Sequence, residues 1–244
     1  MPFLSQASQD HVSGDVFALD PSAEALGEVF REVCTMQVEP DGLEFDIDSV
    51  TVSEIRGNQE YPGQRVQFVV KLARARIDMQ VDIGFGDAVT PAAQEIQFPV
   101  LLEFPAPVMQ AYPKETVVAE KLQAMVVLGI ANSRMKDFYD VWTMAQRFSF
   151  DGTSLASAIQ ATFERRQTDV PGGEPVALTA AFAGSLDKQT QWKAFVSRNR
   201  LENQAVDLSR AIEDLRRFLL TPLAAVATHK AFHETWPAGG PWSL

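Results

Sequence analysis

Three stretches between residues 48 and 85 alternate apolar and polar side chains, the period of two that predicts half-buried strands. DSVTVSEI is the first. RVQFVVKL follows, with Val66, Phe68, Val70 and Leu72 on one face. RIDMQVDIGF is the third, with Ile77, Met79, Val81, Ile83 and Phe85 on one face and Asp78, Gln80 and Asp82 on the other. The short link ARA between the last two predicts an antiparallel hairpin. Ahead of them, PSAEALGEVFREV spaces Ala25, Leu26, Val29, Phe30 and Val33 as a helix does, opened by Asp20-Pro21-Ser22. After them, the Pro-rich crossing FPVLLEFPAPVMQAYP leads into helical periodicity over 114–129, 134–147, 153–165, 176–184, 188–198 and 203–220. Gly129 stops the first of these, and Asn132 or Ser133 caps the second. Strands first and helices second predict an α+β fold. The reading divides it into an α/β region over 1–112, a helical region over 113–235 and an extended tail over 236–244.

Composition narrows the class without naming it. A chain of 244 residues with 46% hydrophobic and 22% charged residues has enough apolar material for a substantial core. The net charge of −11 argues against a protein that coats nucleic acid, because that binding needs a basic surface to release counterions. It leaves room for a local basic groove. The lone Cys34 has no intramolecular partner, which predicts a reducing compartment. MPFLSQASQD lacks the charge and apolar core of a signal peptide, and no apolar run reaches the length of a membrane helix. A soluble, cytoplasmic protein with no membrane partner is expected.

Candidate chemistry sits in three places. Asp82 ends a strand beside the glycine turn GFGD, where a general base or metal ligand would be well placed. A solvent-facing row on a half-buried sheet is the commoner origin of such a carboxylate. Lys121, in KETVVAEKLQAM, lies beside the stripe of Val118, Leu122 and Met125; it can snorkel to water or meet a phosphate as a point charge. In SRMKDFYDVW, the residues Phe138, Val141, Trp142 and Ala145 form an apolar face with Asp137 at its rim. An inward-facing carboxylate there needs a cation or hydrogen bonds, although a helix's first turn also favours an acid through the dipole. Lys136 and Asp140 form an i, i+4 pair expected on the solvated side. Asp46 and Asp48, after a DG turn, read as exposed turn acids. His11, His229 and His233 have no recognised metal or triad spacing.

Three blocks in order, MQVDIGFGDAV, AYPKETVVAEKLQAMV and GIANSRMKDFYDVW, resemble the AbiEii/AbiGii family of nucleotidyltransferase-like toxins, within the DNA-polymerase-β-type superfamily. The resemblance runs from about residue 20 to the tail. It implies a mixed or antiparallel sheet flanked by helices, a site for an NTP and Mg²⁺, and an AbiEi-like antitoxin as partner. It further implies nucleotide transfer to an RNA such as tRNA. Carried over by position, Asp82 matches the family's third carboxylate, a general base or metal ligand. Lys121 matches the lysine expected on the NTP phosphates. Asp137 matches the late acidic position, with Arg134, Lys136 and Asp140 as substrate-binding companions. One departure stands out. Where the family carries a Gly-Gly or Gly-Ser turn and then a DxD, this chain reads HVSGDVFALD, with only Asp15 and Asp20. Two expectations follow: a shortened member of the family, or a homologue that has lost catalysis and acts as a protein-binding module. In the second case a homodimer contact would cover the apolar surface left open.

Overall fold

The computed structural model describes residues 22–55, 63–85 and 89–244. HVSGDVFALD and His11 lie outside these residues, as do Gly86 and Asp87 of GFGD. The fold is α+β: an antiparallel sheet with a flanking helix, then a mostly helical second half. The chain divides into two compact units, Met1–Asp87 and Ala88–Leu244.

In the first unit, helix α1 (Ala23–Thr35) begins at Ser22, whose hydroxyl accepts from the Ala25 N–H as an N-cap should. Three strands follow, β1 (Leu43–Ile55), β2 (Gly63–Leu72) and β3 (Ala75–Ile83), in the sheet order β1-β2-β3. The period of two sends Val66, Phe68 and Val70 to one face. There they are buried with Val50, and Phe30 of α1 packs on Phe68 with ring centroids 6.1 Å apart. The other face carries the charges.

One expectation needs correcting. Asp46 and Asp48 do not sit in a turn; both belong to β1. The strand starts directly after Gly42 (φ +81°) and bulges between Asp46 and Thr51. Within the bulge the Ser49 hydroxyl donates to Asp46 O at 2.5 Å and accepts from the Val69 N–H at 2.8 Å, so a side chain substitutes for the interrupted ladder.

The second unit opens with a hairpin, β4 (Gln94–Gln97) just before the Pro-rich crossing and β5 (Val108–Ala111) within it. Helices α2 (Lys114–Leu128), α3 (Met135–Arg147), α4 (Gly152–Arg165), α5 (Ala180–Gly184), α6 (Leu186–Arg198) and α7 (Leu208–Ala227) then surround one core. Phe138, Phe150, Phe163, Phe182 and Phe218 are fully buried in it, and Phe138 stacks on Phe182 at 5.4 Å. No helix among the described residues is long and apolar enough to cross a membrane.

The last helix passes its expected end near residue 220 and runs through Pro222 to Ala227. A helical proline has no N–H to give the carbonyl four residues back, here that of Phe218. The Trp242 indole donates to Phe218 O at 2.8 Å and replaces the missing donor. The tail is therefore packed. Its strand β7 (Thr235–Trp236) pairs with β6 (Phe150–Asp151), and Trp236 is buried with its indole donating to Ala145 O at 2.8 Å. Gly152 lies against this strap: its N–H donates to Glu234 O at 2.9 Å, and a Cβ there would run into that carbonyl and the Phe232 ring. Gly152→Ala should lower the unfolding free energy by about 1–3 kcal/mol, read from the urea midpoint, whereas alanine at Gly184, where a Cβ meets nothing, should cost far less.

Candidate functional site

A buried lysine organises the second unit's charges. Lys121 extends from α2 beside Val118, Leu122 and Met125, which are all fully buried, and its side chain is only 9% exposed. It does not snorkel. Its ammonium instead donates to Asp137 Oδ1 at 2.6 Å and lies 3.0 Å from Asp140 Oδ2. Asp137 occupies the first turn of α3 at the edge of the apolar face, where its side chain is 6% exposed. Both charges are out of water, so each depends on the other for stability.

The cluster reaches the surface through two further cations. Arg134 Nε is 2.7 Å from Asp137 Oδ2, but no hydrogen bond is aligned on that oxygen, so the contact is charge attraction rather than a directed bond. Lys136 pairs with Asp140 as its spacing predicts. Asp140, however, is not on a fully solvated side. Its side chain is 23% exposed and shared with Lys121, because α2 covers a face that a wheel of α3 alone assigns to solvent. Lys121, Arg134, Lys136, Asp137 and Asp140 thus form one constellation in which three cations meet two carboxylates. Such a set can hold an anion that carries several oxygens.

Asp82 belongs to the first unit. It lies on the polar face of β3, directly across from Arg65 of β2. Arg65 donates from Nε to Oδ1 at 2.8 Å and from a terminal nitrogen to Oδ2 at 2.9 Å, and the Gln80 amide adds longer contacts at 3.3 and 3.4 Å. The Arg65 hydrogen bonds hold the Asp82 carboxyl below its ordinary pKa. Arg65 was not singled out in the sequence, although counting outward from the two-residue turn at Ala73–Arg74 places it opposite Asp82. The same face carries Lys71–Asp46 at 3.1 Å and Arg76–Asp78 at 3.0 Å. Among the described residues, no group of three or more His, Cys, Asp or Glu is placed to hold a metal ion. With both oxygens of Asp82 engaged by Arg65, the donors among the described residues do not fit the Mg²⁺ that the resemblance implies.

The model of the nucleotidyl transferase AbiEii toxin family, from type IV toxin–antitoxin systems, matches residues 9–220. The chain belongs to the AbiEii family. Membership makes it a nucleotidyltransferase-type toxin component, for which an antitoxin partner and an NTP are implied. No curated protein matches the chain significantly. Two solved structures resemble it distantly. One is a candidate nucleotidyltransferase from H. pylori, 15% identical, covering 88% of this chain and 80% of its own, with a TM-score of 0.40. The other is JHP933 from Helicobacter pylori, 16% identical, covering 85% and 70%, with a TM-score of 0.38.

Two outcomes test this geometry. Asp137→Ala removes the carboxylate nearest the buried Lys121 ammonium, and should lower stability by about 3 kcal/mol in urea unfolding. Arg65→Ala should raise the Asp82 pKa toward its ordinary value, seen in a ¹³C carboxyl titration. A depressed carboxyl contributes stability above its unfolded pKa and loses it as pH falls through the folded value. The difference between wild type and Arg65→Ala should therefore be small, since the pair is largely exposed, and should vanish in acid.

Proposed function

We propose that this AbiEii-family chain transfers a nucleotidyl group from an NTP to an RNA, with the end of a tRNA as acceptor. The observation carrying this reading is the buried, doubly paired Lys121 flanked by Arg134 and Lys136. Three cationic side chains gathered at one place suit the oxygens of a phosphate chain. Lys121, fixed by Asp137 and Asp140, supplies a pre-oriented point charge that pays little entropy on binding. Arg134 keeps its terminal N–H groups for phosphate oxygens while Nε faces Asp137. Lys136, with its side chain 56% exposed, lies nearer solvent as a third phosphate contact. Asp137 acts as the anchor of Lys121.

Asp82 is the first unit's candidate proton acceptor for the attacking RNA hydroxyl, the role the family resemblance implies. Arg65 must first release it. An exposed pair of this kind is worth about 0–1 kcal/mol, so the guanidinium separates at little cost.

A second reading is a family member that binds nucleotide or a protein partner without catalysis. It is favoured by HVSGDVFALD, which has no DxD. Incubation with [α-³²P]NTP, Mg²⁺ and tRNA separates the two. Transfer predicts labelled tRNA from wild type, a drop of about 10²-fold in Asp82→Ala, and NTP affinity at least ~10-fold weaker in Lys121→Met. NTP binding that depends on Lys121, with no label on RNA, would support the second reading. Binding unchanged in Lys121→Met would sink the first.

A further inference from the structure

A second buried lysine stands behind the cluster. Lys188, in the first turn of α6, has a side chain only 6% exposed, so its ammonium does not reach bulk water. Nζ donates to the main-chain carbonyl of Asn132 at 3.0 Å. Around it are Gln191 Oε1 at 3.5 Å, Asp187 Oδ2 at 3.6 Å and the Phe182 ring, with its centroid 5.5 Å away. A buried ammonium places its shortest bond where the surroundings offer the best acceptor. Here that acceptor is a backbone oxygen two residues before Arg134.

Asn132 is itself fully buried. Its Oδ1 accepts from the Arg134 N–H at 2.8 Å, which fixes which way the amide points. Its Nδ2 is left without a hydrogen-bond partner among the described residues. Burying an unpaired amide N–H is unfavourable, so the turn tolerates a local cost to keep Oδ1 on Arg134. Arg134 in turn stands at the N-cap of α3 with no side-chain cap, and its carbonyl accepts from the Asp137 N–H at 2.9 Å. A continuous path of bonds runs from Lys188 through Asn132 and Arg134 to Asp137, the partner of Lys121.

We propose that Lys188 is a positioning residue for the nucleotide site: through Asn132 it sets the turn that places Arg134 and Asp137 around Lys121. Its relevance to nucleotide binding rests on the function proposed above. The positioning itself does not, and its test needs no activity. Amide hydrogen exchange of the full chain is compared between wild type, Lys188→Met, and Leu186→Ala on the same helix. In Lys188→Met, exchange at the Arg134 and Asp137 amides should quicken at least about ten-fold, while the core amides of Leu155 and Ile159 hold their rates. Leu186→Ala, at an exposed side chain, should leave all four unchanged. Lys188→Arg, which keeps the charge and the donor, should restore most of the protection. Equal acceleration at all four amides in Lys188→Met would mean that Lys188 serves global stability alone and would overturn the proposal. Unchanged exchange at Arg134 would overturn it too. If Lys188→Met does not fold, Lys188→Gln carries the same comparison. ATP binding, measured in parallel on Lys188→Met and Lys121→Met, separates the two readings. Loss in Lys121→Met alone leaves the nucleotide site standing without Lys188, whereas affinity unchanged in both removes the nucleotide reading and leaves the positioning result to the exchange data.

Discussion

The second unit is built around a charge that cannot be left alone. Lys121 sits between residues that exclude water, and an ammonium there is tolerable only with a carboxylate in contact. That requirement fixes how α3 lies against α2, since Asp137 must come within hydrogen-bond reach while Phe138 and Val141, its neighbours on the helix, remain in the core. Hydrophobic packing alone is permissive about register. A short ion pair in a dry interface is not. It costs more to break than two apolar residues would, and what it supplies in exchange is a unique geometry.

The two units treat charge in opposite ways. On the sheet, Arg65–Asp82, Arg76–Asp78 and Lys71–Asp46 lie across neighbouring or nearby positions of one face, open to solvent and individually weak. Such pairs exchange partners readily. The helical unit keeps its Lys121–Asp137 pair dry and its Arg134 and Lys136 wet, a gradient from rigid anchor to adaptable contact.

What the sequence disclosed depended on the range of the interaction. Asp137 at the apolar rim of α3 is visible from helical spacing, because only residues of the same helix decide it. Asp82 on the polar face of β3 follows from alternation, and Arg65 opposite it could have been reached from the hairpin turn. Lys121 as an ion-paired rather than a snorkelling lysine was not legible, since its partner comes from another helix. Asp140 was misjudged for the same reason: a wheel knows one helix, and α2 supplies the rest of its surroundings. Asp46 and Asp48 were placed in a turn because the bulge that lets β1 begin so early leaves no mark in the alternation. Asn132 was visible only as a cap, and Lys188 gave no signal, because the bond that joins them runs from a side chain to a backbone carbonyl 56 positions away.

The tail indoles bear on the order in which this chain can mature. Trp236 reaches Ala145 O from 91 positions further along, and Trp242 reaches Phe218 O from 24. At about 5–20 residues per second, a ribosome needs roughly 5–18 s after Ala145 to deliver the first of these donors. During that interval, the helix that carries Asp137 has an unsealed C-terminal end, and the helix through Pro222 lacks a donor at its break. Until the two indoles emerge, both helices go without donors that the folded chain supplies from far along the sequence.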